Sequence, residues 1–274
     1  MWDRPEPARV SEPAGKGSHE DDAHWALPEV TMRNGLTEPR RGYGRGPCGG
    51  VRGAPRAPEH KEPPVKIEIW SDVVCPWCYI GKRRFEAALE GLDEAVEVRW
   101  RSFELDPGAL PTPEGSLAEE LASKYRLTVE EAERMMDQMA QAARGEGLEF
   151  DFASARRGNT LDAHRLLHFA SDRGVQGEMK ERLLRAYFSE GRAIADRGEL
   201  AALAADAGLD QDEVEAMLSG SDYVDAVRRD EARAGELGIG GVPFFLIQGR
   251  LGISGAQPVE LMRQGLERAR TQLE

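Results

Sequence analysis

Apolar and polar residues alternate at the start of the run Val65-Lys-Ile-Glu-Ile-Trp-Ser-Asp-Val-Val74 and again over Val96–Ser102, so that Val65–Trp70 and Val96–Ser102 read as strands. Between them, Tyr79–Glu90 places its apolar residues at helical spacing, so the opening unit reads as strand-helix-strand, with a parallel pair and a right-handed crossover expected. After Phe103-Glu-Leu-Asp-Pro107 the pattern becomes helical. Thr128-Val-Glu-Glu131 is a capping-box sequence opening a helix that runs through Met135, Met136, Met139 and Ala143 and stops at Gly145 and Gly147. Those methionines read as core. Further helices are predicted at about 160–173, 177–190, 198–207, 210–219 and 221–236. The strand pattern returns in Gly241–Ile247, turns at Gln248-Gly249-Arg250 and continues over Leu251–Ser254, before a closing helix at Pro258–Leu273 with its proline in the first turn.

Residues 1–64 break this regularity. They hold ten of the 16 prolines and nine of the 30 glycines, with almost no periodic apolar positions, too little to offset the entropy of ordering. The segment is expected to be disordered. Its ten acidic and ten basic side chains cancel, so the net charge of -13 belongs to residues 65–274. An acidic body argues against nucleic acid and anionic membrane surfaces as partners. No run of about 20 apolar residues could span a bilayer, and no apolar signal-peptide core is evident, so the cytoplasm is the expected compartment.

The candidate chemistry sits where the first strand hands over to the first helix, at Cys75-Pro76-Trp77-Cys78. Unpaired N–H groups and the positive end of the helix dipole are expected there to lower the pKa of Cys75, with Cys78 one turn later placed to attack a mixed disulfide. Half of a structural zinc site competes with this reading. Zinc needs four ligands, however, and the only other cysteine, Cys48, lies in the Gly/Pro-rich stretch with no second C-x-x-C. A purely structural disulfide gains little from closing so short a loop. Cys48 itself reads as a spare thiol. Redox chemistry is therefore expected, with no metal and no cofactor beyond the disulfide.

Four motifs together resemble the FrnE-like branch of the DsbA family: Ile69-Trp-Ser-Asp-Val-Val-Cys-Pro-Trp-Cys-Tyr-Ile-Gly81, Gly158-Asn-Thr-Leu-Asp-Ala-His-Arg165, Gly240-Gly-Val-Pro-Phe-Phe245 and Ile253-Ser-Gly-Ala-Gln257. The resemblance implies an α/β, thioredoxin-like fold with a large inserted all-helical domain. Residues 65–104 and 238–274 would form the thioredoxin-like part and 105–237 the insertion. Relatives of this kind begin near Lys66, so residues 1–64 read either as an extension or as an upstream start-site artefact. The implied activity is disulfide exchange with thiol- or disulfide-containing proteins or small molecules, a low-molecular-weight thiol serving as co-substrate. The same superfamily contains glutathione-dependent 2-hydroxychromene-2-carboxylate isomerases, in which a serine typically replaces the first cysteine; this chain keeps both. A redox-independent chaperone is a third reading.

Residue roles follow from the resemblance. Cys75 would attack, Cys78 resolve, and Pro76 and Trp77 tune the pair, while Pro243 resembles the cis-proline that faces the cysteines and lets Val242 pair with an extended substrate. An ordinary trans proline at a strand start competes with that reading. Asp72 would modulate the thiolate or be a solvated strand end. Asn159 and His164 are expected near the catalytic face, His164 as a proton shuttle or substrate contact. Asn159 or Thr160 alternatively serves as a helix N-cap. His164 and His168, four apart, could suit a metal but lack a third ligand at recognisable spacing.

Overall fold

The computed structural model describes residues 64–271 apart from Asp93, so all but the last residue of the segment read as disordered, Cys48 included, lies outside the described residues. Strand β1 (Val65–Ser71) pairs in parallel with β2 (Val96–Ser102) and antiparallel with β3 (Phe244–Ile247), and β3 pairs antiparallel with β4 (Leu251–Ser254). The resulting mixed sheet has the order β2-β1-β3-β4. Helix α1 (Pro76–Leu89) links β1 to β2, and α9 (Val259–Thr271) follows β4. Between β2 and β3 run α2 (Leu117–Tyr125), α3 (Val129–Gly145), α4 (Leu161–Ser171), α5 (Gln176–Phe188), α6 (Arg197–Asp206), α7 (Gln211–Ser219) and α8 (Val224–Glu236). This is an α/β thioredoxin-like fold with a large helical insertion.

The alternation along β1 sorts its side chains between two layers. Ile67 and Ile69 join Phe85, Phe245, Met262 and Leu266 beneath α1 and α9, whereas Trp70 packs with Leu246, Ala234 and Ile239 on the side of α8. Each such side chain, fully buried, contributes roughly 1.5–3 kcal/mol through removal from water. The insertion is not a separate body. Its core, drawn from α4 to α7, takes in Val73, Tyr79 and Ile80, so the same helix that starts at the cysteines is clamped between the sheet and the helical layer.

Differences from the sequence reading have local causes. Strand β1 ends at Ser71, one residue beyond the expected Val65–Trp70, and the Asp72 carboxylate then accepts from Val73 N at 2.7 Å and Leu105 N at 2.8 Å and turns the chain out of the sheet. Helix α1 starts at Pro76, which needs no N–H partner in a first turn. Strand β3 begins only at Phe244, directly after the cis Val242-Pro243 peptide. Helix α2 went unresolved in the sequence, yet Ser116 and Glu119 form a complete capping box at its start. The expected capping box of Thr128 and Glu131 opens α3 with both hydrogen bonds formed.

Candidate active site

Cys75 is the N-cap residue of α1 and Cys78 its third position, with Cys78 N donating to Cys75 O at 3.0 Å. Both are buried free thiols, while Trp77 between them is 42% exposed. Opposite them lies the cis Val242-Pro243 bond, and the Cys75 thiol donates to Val242 O at 3.6 Å. The close approach depends on Gly81: a Cβ there would stand 2.9 Å from Pro243 Cγ. Gly255 N donates to Pro243 O at 2.8 Å and holds the proline from the far side. Pro243 is thus cis, as the resemblance implied, and not the trans strand-start alternative.

A polar interior lies behind the sulfurs. Asp72 is fully buried and also receives His164 Nε2 at 3.2 Å. Burial alone would raise its pKa, but the His164 hydrogen bond and charge, the Leu105 N–H and the Lys180 charge outweigh this and hold the carboxyl below its usual range. The solvated strand-end alternative for Asp72 is therefore excluded. His164 is completely buried and faces Asp72. Its Nδ1 and the Oε1 of nearby Glu104 have no hydrogen-bond partner among the described residues. His168 belongs to a different network, at 3.1 Å from Ser102 Oγ and 3.3 Å from Asp230, so the two histidines do not converge on a common centre. Asn159 acts as a local cap: its side chain accepts from Leu161 N at 2.9 Å and donates to Pro107 O at 3.3 Å, while Thr160 makes no capping bond.

The sequence reading missed Lys180, which comes from α5 and lies fully buried. Its Nζ donates to Ser71 O at 3.4 Å and stands 5.5 Å from the Trp100 ring centroid. Among the described residues no carboxylate comes within ion-pair distance of it. Burial pushes its pKa down to about 8 against the attraction of Cys78, Asp72 and Cys75. The signal was available: Gln176, Met179, Lys180, Leu183, Leu184 and Tyr187 form the buried stripe of α5, so a lysine occupies a core position.

The two thiols titrate as a pair. The hydrogen bond with Cys78, followed by burial, pushes Cys75 well up. Burial opposes ionisation of Cys78 as well, but the Cys75 hydrogen bond, the Lys180 charge and the Ser71 hydroxyl bring it down. The Lys180 charge thus draws the negative charge of the reduced pair toward its own side of the two sulfurs. At the N-cap, the Cys78 backbone N–H acts on the Cys75 sulfur toward a lower pKa, but the Cys78 thiol and burial outweigh it.

A dithiol at a helix start, facing a cis-proline on a thioredoxin-like sheet, defines the class as thioredoxin-fold proteins of the DsbA type. The family of DSBA-like thioredoxin domains matches residues 66–267, and the chain belongs to it. It is 32% identical over 185 residues to YwbO of Bacillus subtilis (strain 168), covering 67% of this chain and 86% of that one. The crystal structure of a "probable DsbA oxidoreductase" from Streptomyces coelicolor is 42% identical with a TM-score of 0.72, covering 76% of this chain and 90% of that one. A 2-hydroxychromene-2-carboxylate isomerase shares the fold at a TM-score of 0.60 and 15% identity, covering 76% and 97%. No helix among the described residues is long and apolar enough to cross a membrane.

Proposed function

We propose that this chain is a thiol-disulfide oxidoreductase that exchanges disulfides through Cys75 and Cys78. The observation that carries this reading is the buried dithiol at the start of α1 with Cys75 Sγ 3.6 Å from Val242 O beside the cis-proline. A disulfide-bearing substrate laid along Val242 brings its sulfur to Cys75, the outer of the two. The Cys75 proton passes to the Cys78 sulfur, and the Cys75 thiolate attacks, forming a mixed disulfide and releasing one substrate thiolate. Cys78 then gives up its proton to water, and the resulting thiolate attacks Cys75 Sγ. The Cys75–Cys78 disulfide forms, the second substrate sulfur leaves as thiolate, and two electrons have passed to the substrate. Run backwards, the same steps oxidise a dithiol. Pro76 and Trp77 shape the backbone and cover around the sulfurs, and a low-molecular-weight thiol can regenerate the reduced pair. In the cytoplasm, the compartment this reading assigns, the pair's potential decides the direction.

The test is equilibration with glutathione buffers followed by Trp77 fluorescence, with a Cys78→Ser variant screened for trapped adducts. A reversible two-electron transition and mixed disulfides on Cys75 are expected. Turnover that survives loss of Cys78 and requires added glutathione would instead identify a thiol-dependent isomerase; client protection by a Cys75→Ala, Cys78→Ala double variant would point to a chaperone.

A further inference from the structure

We propose that Lys180, contributed by the helical insertion, is a positioning residue that sets the charge balance of the redox pair by holding an ammonium behind Cys78. The inference rests on the redox reading of Cys75 and Cys78. Its geometric basis is the arrangement at the end of β1. Lys180 Nζ is anchored at 3.4 Å on the carbonyl of Ser71, the last residue of β1, four positions before Cys75. The lysine is completely buried, and the charged and titratable groups facing it are Cys78, Cys75 and Lys82 from α1 and Asp72 from the end of β1. Lys82 is occupied by Glu86 at 2.5 Å and Glu181 at 2.6 Å. From β2, the Trp100 ring lies 5.5 Å from Lys180 Nζ. Asp72 in turn is bound by Val73 N, Leu105 N and His164 Nε2 of α4, so its charge is already shared among three donors.

Oxidation changes what the ammonium faces. When Cys78 attacks Cys75 Sγ in the mixed disulfide, the Cys78 lone pair becomes the new S–S bond and the substrate sulfur departs with the old bonding pair, taking a proton from water. The negative charge opposite Lys180 vanishes in that step. Lys180 is then left buried with only Asp72 to balance it, a costly arrangement in a dry interior. The ammonium therefore favours the reduced, thiolate-bearing pair over the disulfide. Its burial also lowers the affinity of the lysine for its proton, down to about 8, so oxidation near neutral pH draws that proton off as well.

The experiment compares wild type, Lys180→Met and Glu181→Gln, the last altering the next residue of α5 without touching the pair. Two quantities are read: the pH midpoint of thiolate ultraviolet absorbance and the equilibrium constant with glutathione. Lys180→Met is expected to raise the thiolate midpoint by about one unit and to shift the equilibrium roughly tenfold toward the disulfide, equivalent to about 30 mV more reducing. Glu181→Gln is expected to move neither by more than about twofold. Unchanged values in Lys180→Met, or equal shifts in both variants, overturn the inference. Absence of any two-electron transition in the wild type overturns instead the redox reading beneath it.

Discussion

Two neighbouring residues of α5 treat charge in opposite ways. Glu181 points to the rim of the α1–α5 contact and is half-buried, where it accepts from Tyr79 Oη at 2.7 Å, Lys82 Nζ at 2.6 Å and Arg83 Nη2 at 2.5 Å. Lys180 points inward, fully buried, with a single long hydrogen bond to a backbone carbonyl. At the rim every charge is compensated by design of contacts, and burial's effect on Glu181 is outweighed by its three donors, so its pKa falls to about 2. Inside, desolvation of Lys180 wins and the cation is destabilised. The rim cluster is built for holding two helices together. The inner cation costs stability, which is the expected mark of a group kept for chemistry.

The largest effect belongs to the inner region's anion. Asp72→Ala strips the buried Val73 and Leu105 N–H groups and His164 of their shared acceptor and leaves Lys180 without a facing carboxylate. A loss of about 3–5 kcal/mol in urea unfolding is expected. A loss below about 1 kcal/mol would mean the interior repacks and the inner region is not the strained one. Lys180→Met should do the reverse. Its folded pKa lies below the unfolded value, so the charged form is penalised by folding fully below pH 8, and the penalty fades as pH rises to the unfolded value. The variant is expected to be about 2–3 kcal/mol more stable than wild type at pH 7, the difference shrinking toward zero above about pH 10. A variant less stable than wild type at pH 7 breaks the comparison.

These contrasts also show where a sequence stops being readable. The strands and the helices from α3 onward were legible because period two and period 3.6 survive in the apolar positions, and Cys75 and Cys78 because their spacing is itself chemistry. Helix α2 was not, since only Ala118 and Ala122 of its nine residues are buried and its apolar stripe is too weak to register beside the prolines and glycine before it. Gly81 carried no local sign of its role, which exists only once Pro243 is folded over it. The cation acting on the sulfurs was equally hidden, because the Lys180 charge that reaches Cys78 comes from α5, a distant segment of the chain. Lys180 stood in an apolar stripe, but which groups it would face depended on contacts between distant segments.

Two smaller effects sharpen the same comparison from the outside. Glu181→Gln keeps a hydrogen-bond acceptor but removes the charge, and solvent screening at this half-buried site limits the expected loss to about 1–2 kcal/mol at pH 7. Because the folded pKa of Glu181, about 2, lies below its unfolded value, the contribution is present above about pH 4.3 and disappears as pH falls toward 2, so wild type and variant should converge there in acid-unfolding curves. Convergence at higher pH would show the rim cluster to be less tightly coupled than its geometry indicates. The smallest change is Thr128→Ala, which removes the acceptor for Glu131 N at the start of α3 and is expected to cost about 1 kcal/mol. That helix lies far along the chain from the cysteines and contributes no charge to the Lys180 environment. Its variant should therefore lose stability with the thiolate midpoint and glutathione equilibrium unmoved. If a cap variant moved the redox equilibrium as Lys180→Met does, stability alone would account for the shift, and the distinction between the two kinds of charge on α5 would fall.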